Sequence, residues 1–257
     1  MNLVLREDQG QVRLLTLNRP EVRNALNQAL QEELQKQFDE TKNDAKIRVV
    51  VLTGVGKAFC SGLDLAELEF MSQRSTEENR DDSERLAKLF ETIYSFPKPV
   101  IAALNGHAIA GGAGLASVCD YVFMAGSAKL GYTESRIGFV AALVSVFLLR
   151  QLAERDARDL LLSGRLIPAK EAQAMRLVTD VVPDEHVLAR ALEQANSLIK
   201  NSPGSLAMTK KLVAAVPAMG LKEGLSYATE LNALARTTND LKEGISAFLQ
   251  KREPDWG

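Results

Sequence analysis

The stretch Asn105-Gly-His-Ala-Ile-Ala-Gly-Gly-Ala-Gly-Leu-Ala-Ser-Val-Cys-Asp120 is rich in small residues and follows the apolar segment Pro99-Val-Ile-Ala-Ala-Leu104. An apolar run that stops in glycines and resumes as Leu115-Ala-Ser-Val118 predicts a strand, a tight turn and a buried helix. Glycine costs about 1 kcal/mol relative to alanine inside a helix, so a cluster of glycines at a helix start needs a reason. One reason is close packing against neighbouring backbone. The other is a set of bare N–H groups that holds a negative oxygen.

Length, composition and charge limit the classes of protein that this chain can belong to. Its 257 residues can bury a substantial core, in one domain or in one domain with an appendage. Apolar residues make up 46% and charged residues 25%, as in ordinary soluble globular proteins. The net charge of −2 gives no electrostatic footprint for nucleic acid, and no segment reaches the roughly 18 apolar residues of a membrane span. We therefore expect a cytoplasmic protein that contacts neither nucleic acid nor membrane.

The cysteines and histidines give little support for metal or triad chemistry. Cys60 and Cys119 lie among small or apolar neighbours, which favours reduced, buried thiols. His107 and His186 are far apart in the sequence, so neither a histidine-based zinc site nor a Ser-His-Asp triad is favoured. We expect His107 to be packed, His186 to lie on the surface, and the protein to use no metal.

Apolar periodicity predicts an α/β region followed by helices alone. A helical stripe over residues 26–42 precedes the β-branched run Val49-Val-Val-Leu-Thr53, which indicates a βαβ unit with a strand buried on both faces. Residues 72–85 are nearly all polar, which favours a solvated helix start or a mobile flap. Residues 143–162 predict a helix with one strongly apolar side. The last part of the chain predicts helices at about 185–200, 204–215, 221–236 and 240–251.

The change from alternating strands and helices to helices alone marks a boundary between two parts of the chain. We assign residues 1–195 to a core domain and residues 196–257 to a C-terminal helical oligomerisation region. The C-terminal helices have apolar faces but little sheet to cover, so we expect them to pack against another copy of the protein.

Four motifs, in order and at compatible spacing, resemble those of the enoyl-CoA hydratase/isomerase (crotonase) family. They are Arg19-Pro-Glu-Val-Arg-Asn-Ala-Leu26, Lys57-Ala-Phe-Cys-Ser-Gly-Leu-Asp-Leu65, Lys98-Pro-Val-Ile-Ala-Ala-Leu-Asn-Gly-His-Ala-Ile-Ala-Gly-Gly112 and Glu243-Gly-Ile-Ser-Ala-Phe-Leu-Gln-Lys-Arg252. The resemblance covers about residues 11 to 252. It implies a crotonase-like spiral of ββα repeats with a C-terminal helical trimerisation region. It also implies a homotrimer or a dimer of trimers, and acyl-CoA thioester substrates in which CoA is part of the substrate and no separate cofactor is needed.

The same resemblance implies the residues of the site. Two main-chain N–H donors, at Leu63 and Gly111, would hold the oxygen of a thioester enolate. Glu134, within Gly131-Tyr-Thr-Glu-Ser-Arg-Ile-Gly138, would be the general acid or base. Asp64 also suits the N-cap of a helix. The residues implied in binding substrate or CoA are Arg23, Ala25, Lys57, Ala58, Ser61, Gly62, Asp64, Leu65, Tyr132, Phe248 and Lys251.

One departure from the family pattern leaves the reaction open. Hydratases of the family place two glutamates about the substrate, whereas Gly114 stands at the first of these positions and leaves Glu134 alone. Moving a double bond from the 3 to the 2 position needs a single base, which favours an isomerase. The whole-chain match favours a hydratase, with Tyr132, Thr133 or an ordered water in place of the missing carboxylate.

Two further departures from the family pattern, and a possible function of another class, also bear on the assignment. Ala110 replaces the first of three glycines, and Ala141-Ala142 replaces a Pro-Gly pair, which alters the wall near Glu134. A protein that lacks one carboxylate could instead be a non-catalytic acyl-CoA-binding or scaffolding member of the family. The retained Glu134 argues against that reading, because a binding module has no need of a carboxylate near the acyl carbons.

Overall fold

A computed structural model describes residues 2–256, with Leu65 described by its backbone alone. The strands are β1 (Val4–Gln9), β2 (Val12–Leu17), β3 (Val49–Gly54), β4 (Ala58–Cys60), β5 (Val100–Leu104), β6 (His107–Ile109), β7 (Tyr121–Ala125), β8 (Lys129–Gly131), β9 (Leu166–Pro168) and β10 (Asp180–Val182). The α-helices are α1 (Gln28–Asn43), α2 (Leu65–Met71), α3 (Thr76–Tyr94), α4 (Gly111–Ser117), α5 (Ala142–Gln151), α6 (Glu154–Ser163), α7 (Ala169–Ala174), α8 (Val187–Ile199), α9 (Pro203–Ala215), α10 (Leu221–Ala235) and α11 (Asn239–Gln250).

The larger sheet has the strand order β1-β2-β3-β5-β7-β10. Strands β1 and β2 form an antiparallel pair, and the other neighbours are parallel. Strand β5 is buried along its whole length, as its continuous apolar sequence requires. Helix α8 packs across β3, β5 and β7. The boundary predicted between residues 195 and 196 falls inside this helix, and the division into two domains remains a prediction.

The smaller sheet has the order β4-β6-β8-β9, with β4, β6 and β8 parallel. Each of three successive ββα units places its first strand in the larger sheet and its second strand in the smaller one. The units begin at β3, β5 and β7, so the chain advances by one strand in both sheets at every repeat. The predicted spiral of ββα repeats is confirmed. Sequence reasoning missed β4, β6 and β9, because three residues are too few to show a period.

Several element predictions are confirmed, and others are corrected. The polar stretch is the solvated start of α3, where a capping box joins Ser75 and Glu78. The apolar stretch 143–162 forms two helices, because the backbone of Leu152 is extended at φ −108° and ψ 156°. Helix α1 starts at residue 28, later than predicted, with Asn27 as its N-cap.

The two cysteines and one of the two histidines have the environments predicted for them. Cys60 and Cys119 are free, buried thiols, as predicted. His186 is exposed, as predicted, but the expectation that His107 is packed was wrong. His107 lies at the exposed beginning of β6, and its Nδ1 accepts the Lys129 N–H at 3.0 Å.

The C-terminal helices are tied to the core but keep apolar side chains exposed. Lys210 of α9 forms a salt bridge with Asp120, and its Nζ donates to the Lys98 carbonyl at 3.2 Å. Leu221 at the start of α10 is 83% exposed, and Phe248 of α11 is 82% exposed. Within residues 2–256, no helix is both long enough and apolar enough to cross a membrane.

The exposed apolar side chains of α10 and α11 generate a prediction about assembly. Burying such surface against a second copy is favourable by roughly 25 cal/mol per Å², so the protein should sediment as an oligomer at micromolar concentration. Leu225→Glu, at a position 61% exposed on α10, should weaken association. Lys222→Glu, at an exposed polar position on the same helix, is the matched control. A stable monomer at all concentrations would contradict the prediction.

Candidate active site

Three short parallel strands end at the same edge of the smaller sheet, and a residue expected in catalysis follows each of them. Cys60 of β4 is in register with Ala108 of β6, which is in register with Leu130 of β8. Neighbouring strands lie about 4.8 Å apart, so the segments that leave their carboxyl ends are neighbours as well. Those segments carry Leu63, Gly111 and Glu134.

The backbone of Leu63 is held by a parallel bridge to Leu26. The Leu26 N–H donates to the Gly62 carbonyl at 2.7 Å, and the Asp64 N–H donates to the Leu26 carbonyl at 3.1 Å. In a parallel bridge the groups on either side of a residue bond to the partner strand, so the N–H of Leu63 itself points away from Leu26. Within residues 2–256 this N–H has no hydrogen-bond acceptor.

The second N–H, that of Gly111, lies beside the same turn. Gly62 has φ +91°, and a Cβ built on it would lie 2.9 Å from Ala110 Cβ and 3.4 Å from the Gly111 nitrogen. Position 62 therefore requires glycine, both for its backbone conformation and for the close approach of the two chains. Gly111 is the first residue of α4, where an N–H has no carbonyl one turn earlier to bond.

The other two glycines at the start of α4 serve close packing. A Cβ on Gly112 would lie 2.2 Å from the carbonyl oxygen of Cys60, so α4 and β4 meet backbone to backbone. A Cβ on Gly114 would lie 2.2 Å from Val144 Cγ1 and 3.1 Å from the Phe90 ring. Hydrocarbon from α5 and α3 therefore occupies the space where a side chain at position 114 would begin. Close packing is therefore the reason for glycine at positions 112 and 114.

Glu134 starts the 3-10 turn Glu134–Ile137, three residues after the end of β8, and is 8% exposed. Its Oε2 atom is buried and has no hydrogen-bond partner within residues 2–256. Burial raises the pKa of this carboxyl, and a hydrogen bond from its own backbone N–H opposes the rise. A carboxylate whose pKa is raised towards neutrality is a better proton acceptor for catalysis at neutral pH.

Polar residues that sequence reasoning passed over hold the Leu63 turn in place. Arg19 Nη1 donates to the Ala25 carbonyl at 2.6 Å, and Nη2 forms a salt bridge with Asp64 Oδ2 at 2.8 Å. Asp64 is also the N-cap of α2, as predicted, because its Oδ1 accepts the Ala66 N–H at 3.0 Å. Asn24 is fully buried at φ +56° and donates to the Val55 and Ala58 carbonyls. Arg19 and Asn24 both belong to the motif Arg19–Leu26, which was the feature of the sequence from which their role could have been predicted.

The residues expected to bind CoA lie in two places: on the neighbouring segments 22–26 and 57–65, and at the end of α11. Arg23 and Lys57 are exposed, whereas Ala25 and Ala58 are buried. Ser61 links the segment that contains Ala58 to the segment that contains Arg23, because its N–H donates to the Arg23 carbonyl at 3.1 Å. The side chain of Leu65 lies outside the described residues. Phe248 and Lys251, at the far end of the chain, belong to α11 and its C-cap, and this helix packs against α9.

Comparisons with known proteins agree with this architecture. The family described as enoyl-CoA hydratase/isomerase matches residues 7–257. A Thermus thermophilus protein assigned as an enoyl-CoA hydratase is 49% identical over 247 residues, covering 96% of this chain and 98% of its own. The 2,3-dehydroadipyl-CoA hydratase of Escherichia coli is 37% identical, with 96% of each chain covered. The crystal structure of a Mycobacterium smegmatis enoyl-CoA hydratase superposes with a TM-score of 0.93 at 30% identity, covering 99% of this chain and 98% of the other. The chain belongs to the enoyl-CoA hydratase/isomerase family, as the four motifs predicted.

The backbone of Ala110 generates a stability prediction with an unusual sign. Ala110 has φ 51° and ψ −124°, a conformation that costs a residue with a side chain roughly 1–3 kcal/mol. Glycine relieves this cost but adds about 0.4–1 kcal/mol of unfolded-state entropy, so Ala110→Gly should raise the free energy of unfolding by about 1 kcal/mol. Ala113→Gly, inside α4, should lower it by about the same amount. Urea unfolding measures both, and a loss of stability in Ala110→Gly would contradict the assignment of strain.

The packing around Gly114 generates a second stability prediction. Gly114→Ala should lower the free energy of unfolding by about 1–3 kcal/mol, because the new methyl overlaps Val144 Cγ1. Adding Val144→Ala makes room, so a double-mutant cycle should give a favourable coupling of about 1 kcal/mol or more. Gly126→Ala is the control, since its Cβ would meet nothing closer than 3.6 Å. Additive effects of the two substitutions would contradict the overlap.

Proposed function

We propose that the protein is an acyl-CoA enzyme that stabilises a thioester enolate. The Leu63 and Gly111 N–H groups bind the thioester oxygen, and Glu134 is the acid and base. The observation that carries this proposal is the convergence of two N–H groups and one buried carboxylate at three adjacent strand ends. Donors fixed by the fold are worth about 2.7–4 kcal/mol each in oxyanion sites, because they need no rearrangement as charge develops.

Hydration of a 2-enoyl-CoA is the reaction that the names of the relatives favour. Glu134 accepts a proton from water as the water oxygen bonds to C3. The electron pair of the C2–C3 double bond then moves towards the thioester oxygen, where the Leu63 and Gly111 N–H groups hold the negative charge. Glu134 returns the proton to C2, which gives the 3-hydroxyacyl-CoA and restores the carboxylate.

Isomerisation of a 3-enoyl-CoA is the second candidate, and the environment of Gly114 favours it. Val144 and Phe90 fill the space beside Gly114, so a second carboxylate has no place there. A single base suffices for this reaction, since Glu134 takes a proton from C2 and returns it to C4. The same two N–H groups stabilise the dienolate between these steps.

The remaining functional assignments are part of the same proposal. CoA lies along the two paired segments at 22–26 and 58–64, with the exposed cations Arg23 and Lys57 available to its phosphates. Phe248 and Lys251 contact the CoA of a neighbouring subunit in a homotrimer or a dimer of trimers. CoA enters as part of the substrate, and no separate cofactor is proposed. The cytoplasmic location stays a prediction.

Glu134→Gln tests the proposal, because it keeps the shape of the side chain but removes the base. Wild-type protein should turn over crotonyl-CoA or a 3-enoyl-CoA and should exchange the α-protons of butyryl-CoA in D₂O. The variant should lose about 10²–10⁴-fold in kcat and in exchange. Glu185→Gln, at a carboxylate with 73% side-chain exposure, is the matched control.

The pattern of activities separates the candidate functions. Turnover of crotonyl-CoA without turnover of 3-enoyl-CoA excludes the isomerase, and the reverse pattern excludes the hydratase. Wild-type protein that binds acyl-CoA but neither turns it over nor exchanges its protons would be the non-catalytic binding member of the family, and the proposal would fail.

A further inference from the structure

Tyr132 is a fully buried side chain whose hydroxyl has no partner of good geometry. It is 0% exposed, and within residues 2–256 its Oη atom makes no hydrogen bond. The Ser117 hydroxyl of α4 lowers the pKa of this phenol, but it donates its own proton to the Gly114 carbonyl at 2.8 Å. Phenylalanine would fill the same space without burying a polar atom, so the hydroxyl needs a reason other than packing.

The strand pairing places Tyr132 next to the reaction centre. The Gly131 carbonyl accepts the Ala110 N–H at 2.8 Å, so Tyr132 leaves β8 directly opposite the peptide that leads into Gly111. Tyr132 and Glu134 are two residues apart after β8, and both side chains are turned into the protein, with exposed fractions of 0% and 8%.

Two buried polar atoms that lack a hydrogen-bond partner in the described part of the chain thus belong to residues that are two positions apart. Glu134, two residues after Tyr132, also has a buried oxygen without a partner, Oε2. Burial raises the pKa of Tyr132, and the charge of the Glu134 carboxylate adds a smaller rise. The phenol therefore stays neutral at neutral pH. It can donate and accept hydrogen bonds, but it cannot act as a base.

We propose that the Tyr132 hydroxyl is a further catalytic residue for hydration and that it holds the attacking water together with Glu134 Oε2. This inference rests on the proposed function of Glu134. One O–H of the water donates to Glu134, which takes that proton, and the other donates to Tyr132 Oη and remains on the product as its hydroxyl group. The water oxygen bonds to C3, the electron pair of the double bond passes to the thioester oxygen, and Glu134 protonates C2. Tyr132 gives up no proton.

This assignment gives the chain a substitute for the absent carboxylate at position 114. A water molecule has two protons, and two fixed acceptors leave its lone pair directed at one carbon. Glu134 alone would fix one proton and leave the water free to rotate. Proton exchange at the α-carbon needs no water nucleophile, so it should not depend on Tyr132.

Tyr132→Phe separates these two activities, since it removes one oxygen and keeps the ring. We expect kcat for hydration of crotonyl-CoA to fall about 10–100-fold while KM changes less than about 2-fold, in proportion to the loss of one catalytic hydrogen bond. Exchange of the α-protons of butyryl-CoA in D₂O should stay within about 3-fold of wild type. Tyr94→Phe is the control, because this half-buried tyrosine packs against Phe147, with ring centroids 5.1 Å apart.

Three outcomes would overturn the inference. Unchanged hydration in Tyr132→Phe overturns the inference, and so does wild-type protein that exchanges α-protons but does not hydrate. A parallel loss of both activities together with a lower melting temperature would assign the hydroxyl to structure, and would also overturn it. Failure of the proposed function itself looks different, since wild-type protein would then show neither activity and Glu134→Gln would change nothing.

Discussion

Parallel pairing of β4, β6 and β8 is the constraint on which the candidate site depends. These strands have three residues each, so their few backbone hydrogen bonds are supported by contacts at both ends. At one end a Cβ on Gly106 would lie 2.1 Å from the Lys57 carbonyl oxygen, and at the other a Cβ on Gly112 would lie 2.2 Å from that of Cys60. Neither residue can be enlarged without separating the strands, and the positions of Leu63, Gly111 and Glu134 follow from their pairing.

The site combines fixed main-chain donors with an environment of low polarity. Among residues 2–256 Glu134 forms no salt bridge, and Val144 and Phe90 present hydrocarbon beside Gly114. In such surroundings an ionised carboxylate is costly, which raises its proton affinity, and a dipole acts strongly on charge that develops near it. Burial thus raises the proton affinity of Glu134, and the salt bridge of Arg19 with Asp64 links the residue after Leu63 to the Arg19–Leu26 motif.

The sequence predicts individual helices and strands better than contacts between distant residues. The periodic helices α1 and α8 and the continuous apolar strand β3 were predicted within a few residues, because their apolar residues report burial. The smaller sheet left no such pattern, and spacing alone could not show that Leu63, Gly111 and Glu134 follow neighbouring strands. The resemblance to a family supplied that juxtaposition. Contacts between distant residues, such as Val144 against Gly114 and Arg19 against Asp64, depend on tertiary packing that no local pattern encodes.

The stepwise arrangement of the repeats has a consequence for the folding of the chain. Each ββα unit contributes one group to the site, so a chain that ends before β8 holds both N–H groups but lacks the carboxylate. Strands β3, β5 and β7 acquire the cover of α8 only after residues 187–199 have been made. Contacts of such high sequence separation form late, because loop-closure entropy opposes them. Activity should therefore return during refolding only when the strands of the last repeat and the covering helix α8 have docked, whichever repeat collapses first.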